Sequence, residues 1–140
     1  MRDLHNNINV KRVISPVSVS DNTAQVGQII DHQGFDALEY VIATGSLADA
    51  DATFTVLLED GDAANLSDAA AVADAFLLGT EALASFNYGD DDKVFKLGYK
   101  GNKRYTRLTI TPANNASAAV ISAVAVLGEP SVAPTANPPV

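Results

Sequence analysis

Apolar and polar residues alternate with a period of two along much of the chain, the pattern of a strand with one buried face. From Ala37 to Ala43, Leu38, Tyr40 and Ile42 point one way while Glu39, Val41 and Ala43 point the other. From Ala52 to Glu59, Phe54, Val56 and Leu58 share one face; Thr53, Thr55, Leu57 and Glu59 share the opposite one. Turn residues at Glu59-Asp60-Gly61-Asp62 close that strand. Asn9 to Ile14 and Val17 to Val19 read as short strands broken by Pro16, which has no N–H for a ladder.

Ala118 to Leu127 is apolar on both faces, with Val120, Val124 and Val126 on one and Ile121, Ala123, Ala125 and Leu127 on the other. Such a strand lies between two layers or against another chain. Val120, Ile121, Val124, Val126 and Leu127 are therefore candidates for a contact between subunits. Lys93 to Tyr99 and Arg104 to Thr111 flank Gly101-Asn102 and predict a hairpin with a type II′ turn. In that register Lys100 opposes Lys103, Gly98 opposes Tyr105 and Lys96 opposes Arg107. Ser67 to Gly79 predicts a helical turn followed by a short strand.

Short strands separated by Gly, Asn, Asp and Pro turns, without a long helical period, predict an all-β fold: a jelly-roll-like β-sandwich with short helical turns and extended terminal arms. Residues 1–8 read as a polar N-terminal arm and 9–129 as the sandwich. Residues 130–140, with four prolines, read as a C-terminal tail, either frayed or lying on a neighbouring subunit.

With 140 residues, 47% of them hydrophobic, the chain predicts one domain able to bury a core. It has no cysteine, which excludes disulfides, thiolate metal sites and a cysteine nucleophile. No signal peptide and no run long enough for a bilayer span are visible, so no membrane partner is expected. The net charge of −8 is unevenly distributed. Fifteen acids and no base lie between Val13 and Asp92; six bases and no acid lie between Lys93 and Arg107. Either strands of the two blocks pair and neutralise each other, or the basic segment is a docking edge on an acidic body. The predicted hairpin puts Lys96, Lys100, Lys103, Tyr105 and Arg107 on one face, with Arg104 beside them. Like charges opposed on a sheet ask for an anionic neighbour. A low pI argues against nucleic acid as that neighbour.

Catalytic signals are scarce. His5 lies in the arm, and His32 lies in a turn beside Asp31, a neighbour too close in sequence for triad geometry. The acids at 49–51, 60–62 and 90–92 complete no calcium loop, and residues 60–68 lack its closing Glu. No phosphate or dinucleotide motif is present. The expectation is no enzyme, no catalytic residue, no metal and no cofactor.

Several strings resemble a family of tailed-bacteriophage capsid decoration, or cement, proteins. They are Met1-Arg2-Asp3-Leu4-His5-Asn6-Asn7-Ile8 with Ile14-Ser15-Pro16-Val17, Gly45 to Phe54, Leu66 to Asp74, Leu78 to Ala82, Gly101 to Tyr105, and Arg107 to Ala113. The resemblance covers most of the chain. It implies an oligomerising jelly-roll domain, dimeric in preference to trimeric, on the outside of the virion. There it would bind the major capsid protein and stabilise the lattice by mass action. The docking candidates become Lys96, Lys100, Lys103, Arg104, Tyr105 and Arg107. A carbohydrate-binding β-sandwich is the alternative, with Phe86 and Tyr88 before Asp90-Asp91-Asp92 as its aromatic set.

Overall fold

A computed structural model describes residues 2–139; Met1 and Val140, the ends of the predicted arm and tail, lie outside the described residues. In chain order the strands are β1 (Ile8–Val19), β2 (Gln25–Val26), β3 (Ile30–Asp31), β4 (Phe35–Leu47), β5 (Thr53–Gly61) and β6 (Ala70–Ala71). They continue with β7 (Leu77–Leu78), β8 (Phe86–Asn87), β9 (Val94–Tyr99), β10 (Tyr105–Ala113) and β11 (Ala119–Pro130). The longest described helix, α1 (Glu81–Ala84), is one turn, capped by the Thr80 hydroxyl accepting from the Leu83 amide at 3.0 Å.

Two antiparallel sheets face each other. The first has the order β1-β11-β4-β9-β7; the second runs β2-β10-β5-β6, with β3 on β10 and β8 on β5. The ladders β1:β11, β2:β10, β4:β9 and β5:β8 pair the first principal strand with the last, the second with the second last, and so inward. That nested pairing is a jelly roll, an antiparallel ribbon folded over itself.

The alternation read from sequence assigns the buried faces correctly. Leu38, Tyr40 and Ile42 of β4 meet Phe54, Val56 and Leu58 of β5 in the core, joined by Leu97, Leu108 and Ile110. Pro16 does not split β1. It sits where the ladder to β11 slips between Ile14 and Val17, on an edge strand where a missing donor is tolerated.

The expected hairpin does not form. Strand β9 pairs with β4 and β7 in one sheet, whereas β10 pairs with β2, β3 and β5 in the other. Residues 100–104 are a crossover between the layers. The Tyr99 hydroxyl holds the crossover by donating to Asp60 at 2.8 Å and accepting from the Lys103 amide at 3.1 Å. A Cβ on Gly101 would run into the Tyr99 ring, so glycine serves a close approach here rather than a tight turn.

The tail lies on its own domain. The Ser131 amide donates to Gly34 O, and Thr135 binds the N-terminal segment through its amide to Asn6 O and its hydroxyl to Ile8 O. Between Ser67 and Gly79 the chain forms β6, a single 3-10 turn at Asp74–Phe76 and then β7, so the helical turn begins at Asp74, well after Ser67.

Candidate functional site

The jelly-roll crossover divides the six docking candidates, five bases and Tyr105, between the two sheets and the connection that joins them. Lys96 lies on the outer face of the first sheet, opposite Val41, and Arg107 on the outer face of the second, opposite Glu59. No shared basic face exists. Four bases of the 93–107 block are neutralised by acids of the earlier block: Lys93 by Asp90 (3.0 Å), Lys103 by Asp62 (2.9 Å), Arg104 by Asp31 (2.9 Å) and Arg107 by Glu59 (3.2 Å). Arg104 also donates to Gln33 and stacks over Tyr105, 5.0 Å from the ring centroid. Asp31 is held below the usual carboxylate range by the Arg104 guanidinium. Lys96 and Lys100 form no ion pair among the described residues.

The two-faced strand β11 is central in its sheet, and its inward residues complete the core. Ile121 and Leu127 are 1% and 0% exposed, so these two interface candidates are unavailable to a partner. Val120 and Val124 point outward, 39% and 42% exposed, with Val126 half-buried beside them.

Register then assembles a face that sequence reading did not bring together. Across the outer side of the first sheet, one row is Arg12, Val124, Val41 and Lys96. The next row is Val10, Val126, Glu39, Gly98 and Leu78, and Ser122, Ala43 and Val94 form another. Val10, Val94 and Leu78 are exposed. Arg12 forms no ion pair among the described residues; its guanidinium donates to Ser15 Oγ at 3.0 Å. The outer side of the second sheet is different, with Thr53, Thr55, Thr109 and Thr111 grouped around Leu57 and the Arg107–Glu59 pair. One side of the sandwich is therefore largely apolar, with Arg12, Lys96 and Glu39 as its charged members, and the other is polar with its Arg107–Glu59 charges paired. The signal for Val10, Arg12, Val41 and Val94 was present in the sequence, since Val41 and Ala43 make β4 apolar on both faces as well. Only the register showed that these residues adjoin Val120 and Val124.

His32 is packed into the side of the core. Its Nε2 lies 2.7 Å from Thr106 Oγ1, which also bonds the Tyr40 hydroxyl. Among the described residues Tyr40 has no other hydrogen-bond partner, so its O–H donates to Thr106, and Thr106 donates to His32 Nε2. That arrangement satisfies every buried hydrogen and places the imidazole proton on Nδ1. Thr106 is fully buried and out of reach of a substrate. Burial pulls the His32 pKa down from 6.5 to about 4, opposed by Asp31 and Asp60 and reinforced by Lys11. Between pH 6.5 and about 4 the unfolded chain is protonated at His32 and the folded chain is not, so stability falls as pH falls through that window. The full shift corresponds to about 3 kcal/mol, and the partly exposed ring retains about 1–2 kcal/mol of it. Urea unfolding midpoints at pH 7 and pH 4.5 should show this loss, and His32→Gln should flatten it.

The acidic loops serve the backbone. Asp68 accepts from the Asp62 and Ala63 amides at 2.8 and 3.2 Å, closing the 60–68 loop, and Asp90 accepts from the Asn87 amide at 2.9 Å. No group of three potential metal ligands occurs among the described residues. The aromatic pair of the carbohydrate reading is not assembled. Phe86 is buried in a stack between Phe54 (4.9 Å) and Phe95 (5.7 Å), leaving Tyr88 exposed without it.

No helix among the described residues is long and apolar enough to cross a membrane. No protein-family model and no curated protein matches the chain. Among solved structures it is similar to the PBSX exported protein XepA, with a TM-score of 0.55 and 12% identity over 91% of this chain and 39% of that one. It is also similar to the xylan-binding module CBM15 (TM-score 0.45, 12% identity, 93% and 95% of the two chains). A third similar structure is that of Broad Bean Stain Virus (TM-score 0.46, 9% identity, 89% and 85%). This chain thus spans 39% of the length of XepA, and at such identity the likeness is one of fold: a β-sandwich of jelly-roll type.

Proposed function

We propose that this protein is a structural component of a tailed-phage virion that binds the outside of the capsid and stabilises contacts between major capsid subunits. The observation that carries this reading is the outer face of the β1-β11-β4-β9 sheet. Val10, Val41, Val120, Val124 and Val126 form an apolar field there, with Arg12 and Lys96 at its sides and the half-buried Glu39 between Val126 and Gly98, close enough to Lys96 to feel its charge. An exposed antiparallel sheet face is ordinarily polar, and a contiguous apolar one marks a binding surface. The sequence resemblance set out above names the capsid as the partner, and the XepA-like fold is compatible with that role.

The work is done by binding alone. A protein that binds the assembled lattice and not the free subunit stabilises the lattice by its binding free energy. Each contact is modest, and repetition over the shell multiplies the effect. A homodimer through Val120, Val124 and Val126 would bury the same face and compete with the capsid for it. Val124→Asp and Lys96→Glu change outward side chains, so both variants should fold normally and lose at least about tenfold in affinity for decoration-free capsids of the parent phage. Full occupancy by both variants, counted by cryo-EM or quantitative gel, would rule this face out. Glycan binding that depends on Tyr88 would instead favour the carbohydrate reading.

A further inference from the structure

The β9 edge, which adjoins the valine field, carries a second recognition feature in its main chain. The Thr44 amide donates to Lys93 O on the β4 side, so the odd-numbered residues of β9 bond toward β4. The Lys100 amide donates to Phe76 O on the other side, so the even-numbered residues bond outward. Strand β7 serves that outer edge at Tyr99 and Gly98, and then the chain turns away at Gly79 (φ +81°). The outward N–H and C=O groups of Val94 and Lys96 have no strand partner among the described residues.

Beside this open stretch lies a groove of about 730 Å³, lined by Leu78, Leu83, Val94, Phe95, Lys96 and Glu39. Leu83 and Val94 are 72% and 67% exposed, and α1, which carries Leu83, packs beside β9 without pairing with its main chain. Phe95 is half-buried, with its ring at the end of the Phe54–Phe86 stack.

Resting on the capsid reading above, we propose that the Val94–Lys96 edge accepts a short extended strand from the capsid partner, extending the five-stranded sheet by one. Ladder geometry dictates the chemistry of that strand. The residue opposite Phe95 faces the interior side of the sheet and is apolar, packing against Phe95 and Leu83. Its neighbours face the outer side, where Lys96 selects a carboxylate over a cation. Glu39 sits across Gly98, and burial pushes its carboxyl above the usual carboxylate range; Lys96 is the nearby charge opposing that shift. Main-chain bonds at Val94 and Lys96 supply affinity, and the two side-chain positions supply selectivity.

Val94 is the first residue of β9, where proline is tolerated, and its N–H points away from β4. Val94→Pro therefore removes an outward donor without touching the β4 ladder, and Val94→Thr is the control that keeps it. Decoration-free capsids of the parent phage are the probe. The proposal expects wild type and Val94→Thr to bind and Val94→Pro to lose about tenfold in affinity with an unchanged melting curve. Hydrogen exchange on wild-type protein gives a readout without substitution: the Val94 and Lys96 amides should slow on the capsid. If wild type binds but Val94→Pro binds equally well and those amides still exchange freely, strand addition is wrong and the capsid reading stands. If wild type does not bind, both fall.

Discussion

Truncating Phe54 to alanine should destabilise the protein by about 3–5 kcal/mol, the usual range for a buried phenylalanine, and lower its melting midpoint by about 10–20 °C. Phe54 is 1% exposed and stacks 4.9 Å from Phe86, which in turn stacks 5.7 Å from Phe95. Phe54 and Phe86 belong to one sheet and Phe95 to the other, so the stack ties the two layers together. Its loss would open a cavity that neighbouring rings cannot fill, because their backbones are fixed in ladders. Phe54→Leu should lose roughly half as much. Urea unfolding of both variants, followed by tyrosine fluorescence and circular dichroism, measures the difference; a change below about 1 kcal/mol for Phe54→Ala would show that the stack does not join the layers.

Reversing Arg107 to glutamate should be the most damaging surface charge change in the 93–107 segment, at about 2–3 kcal/mol. Arg107 and Glu59 are cross-strand partners on β10 and β5, about a quarter exposed, with the guanidinium 3.2 Å from the carboxylate. The reversal opposes two carboxylates on a partly desolvated sheet face. Lys96→Glu places the new charge on an exposed position with no ion pair to break among the described residues, though beside Glu39, and should cost less, about 0.5–1 kcal/mol. The same charge reversal therefore mainly destabilises the fold at one site and probes binding at the other. Exchanging the partners, Glu59→Arg with Arg107→Glu, should recover at least half of the loss in a double-mutant cycle. Additivity of the two single losses would sink the pairing argument.

These contrasts mark where the sequence was legible. Period-two alternation assigned the buried faces of β4 and β5 residue by residue, because a side chain's face is set by its own strand's pleat and needs no knowledge of the partner. The same logic set Lys96 opposite the Phe95–Leu97 face of its strand and Arg107 opposite the Leu108 face of its own. It then went wrong by joining β9 and β10 through Gly101-Asn102, since local turn chemistry offered a hairpin and nothing local opposed it. The opposing facts are long-range: Tyr99 reaches Asp60, and Thr106 joins Tyr40 and His32 across the core. Charge blocks were equally visible and equally undecided, and the ion pairs to Asp31, Glu59, Asp62 and Asp90 resolved four of the six bases as internal neutralisation.

The apolar character of β11 on both faces was plain in its residues, yet whether Ile121 or Val124 faced outward depended on which side the second sheet lies. Composition and alternation by themselves determined an all-β sandwich without cysteine chemistry, since these follow from residue types and a two-residue period. Which strands share a sheet, which bases keep their charge free, and which valines form a surface were decided only in the tertiary structure. Pairing in a jelly roll joins residues a hundred positions apart, and that choice is made by the packing of two whole sheets, not by any short stretch of chain.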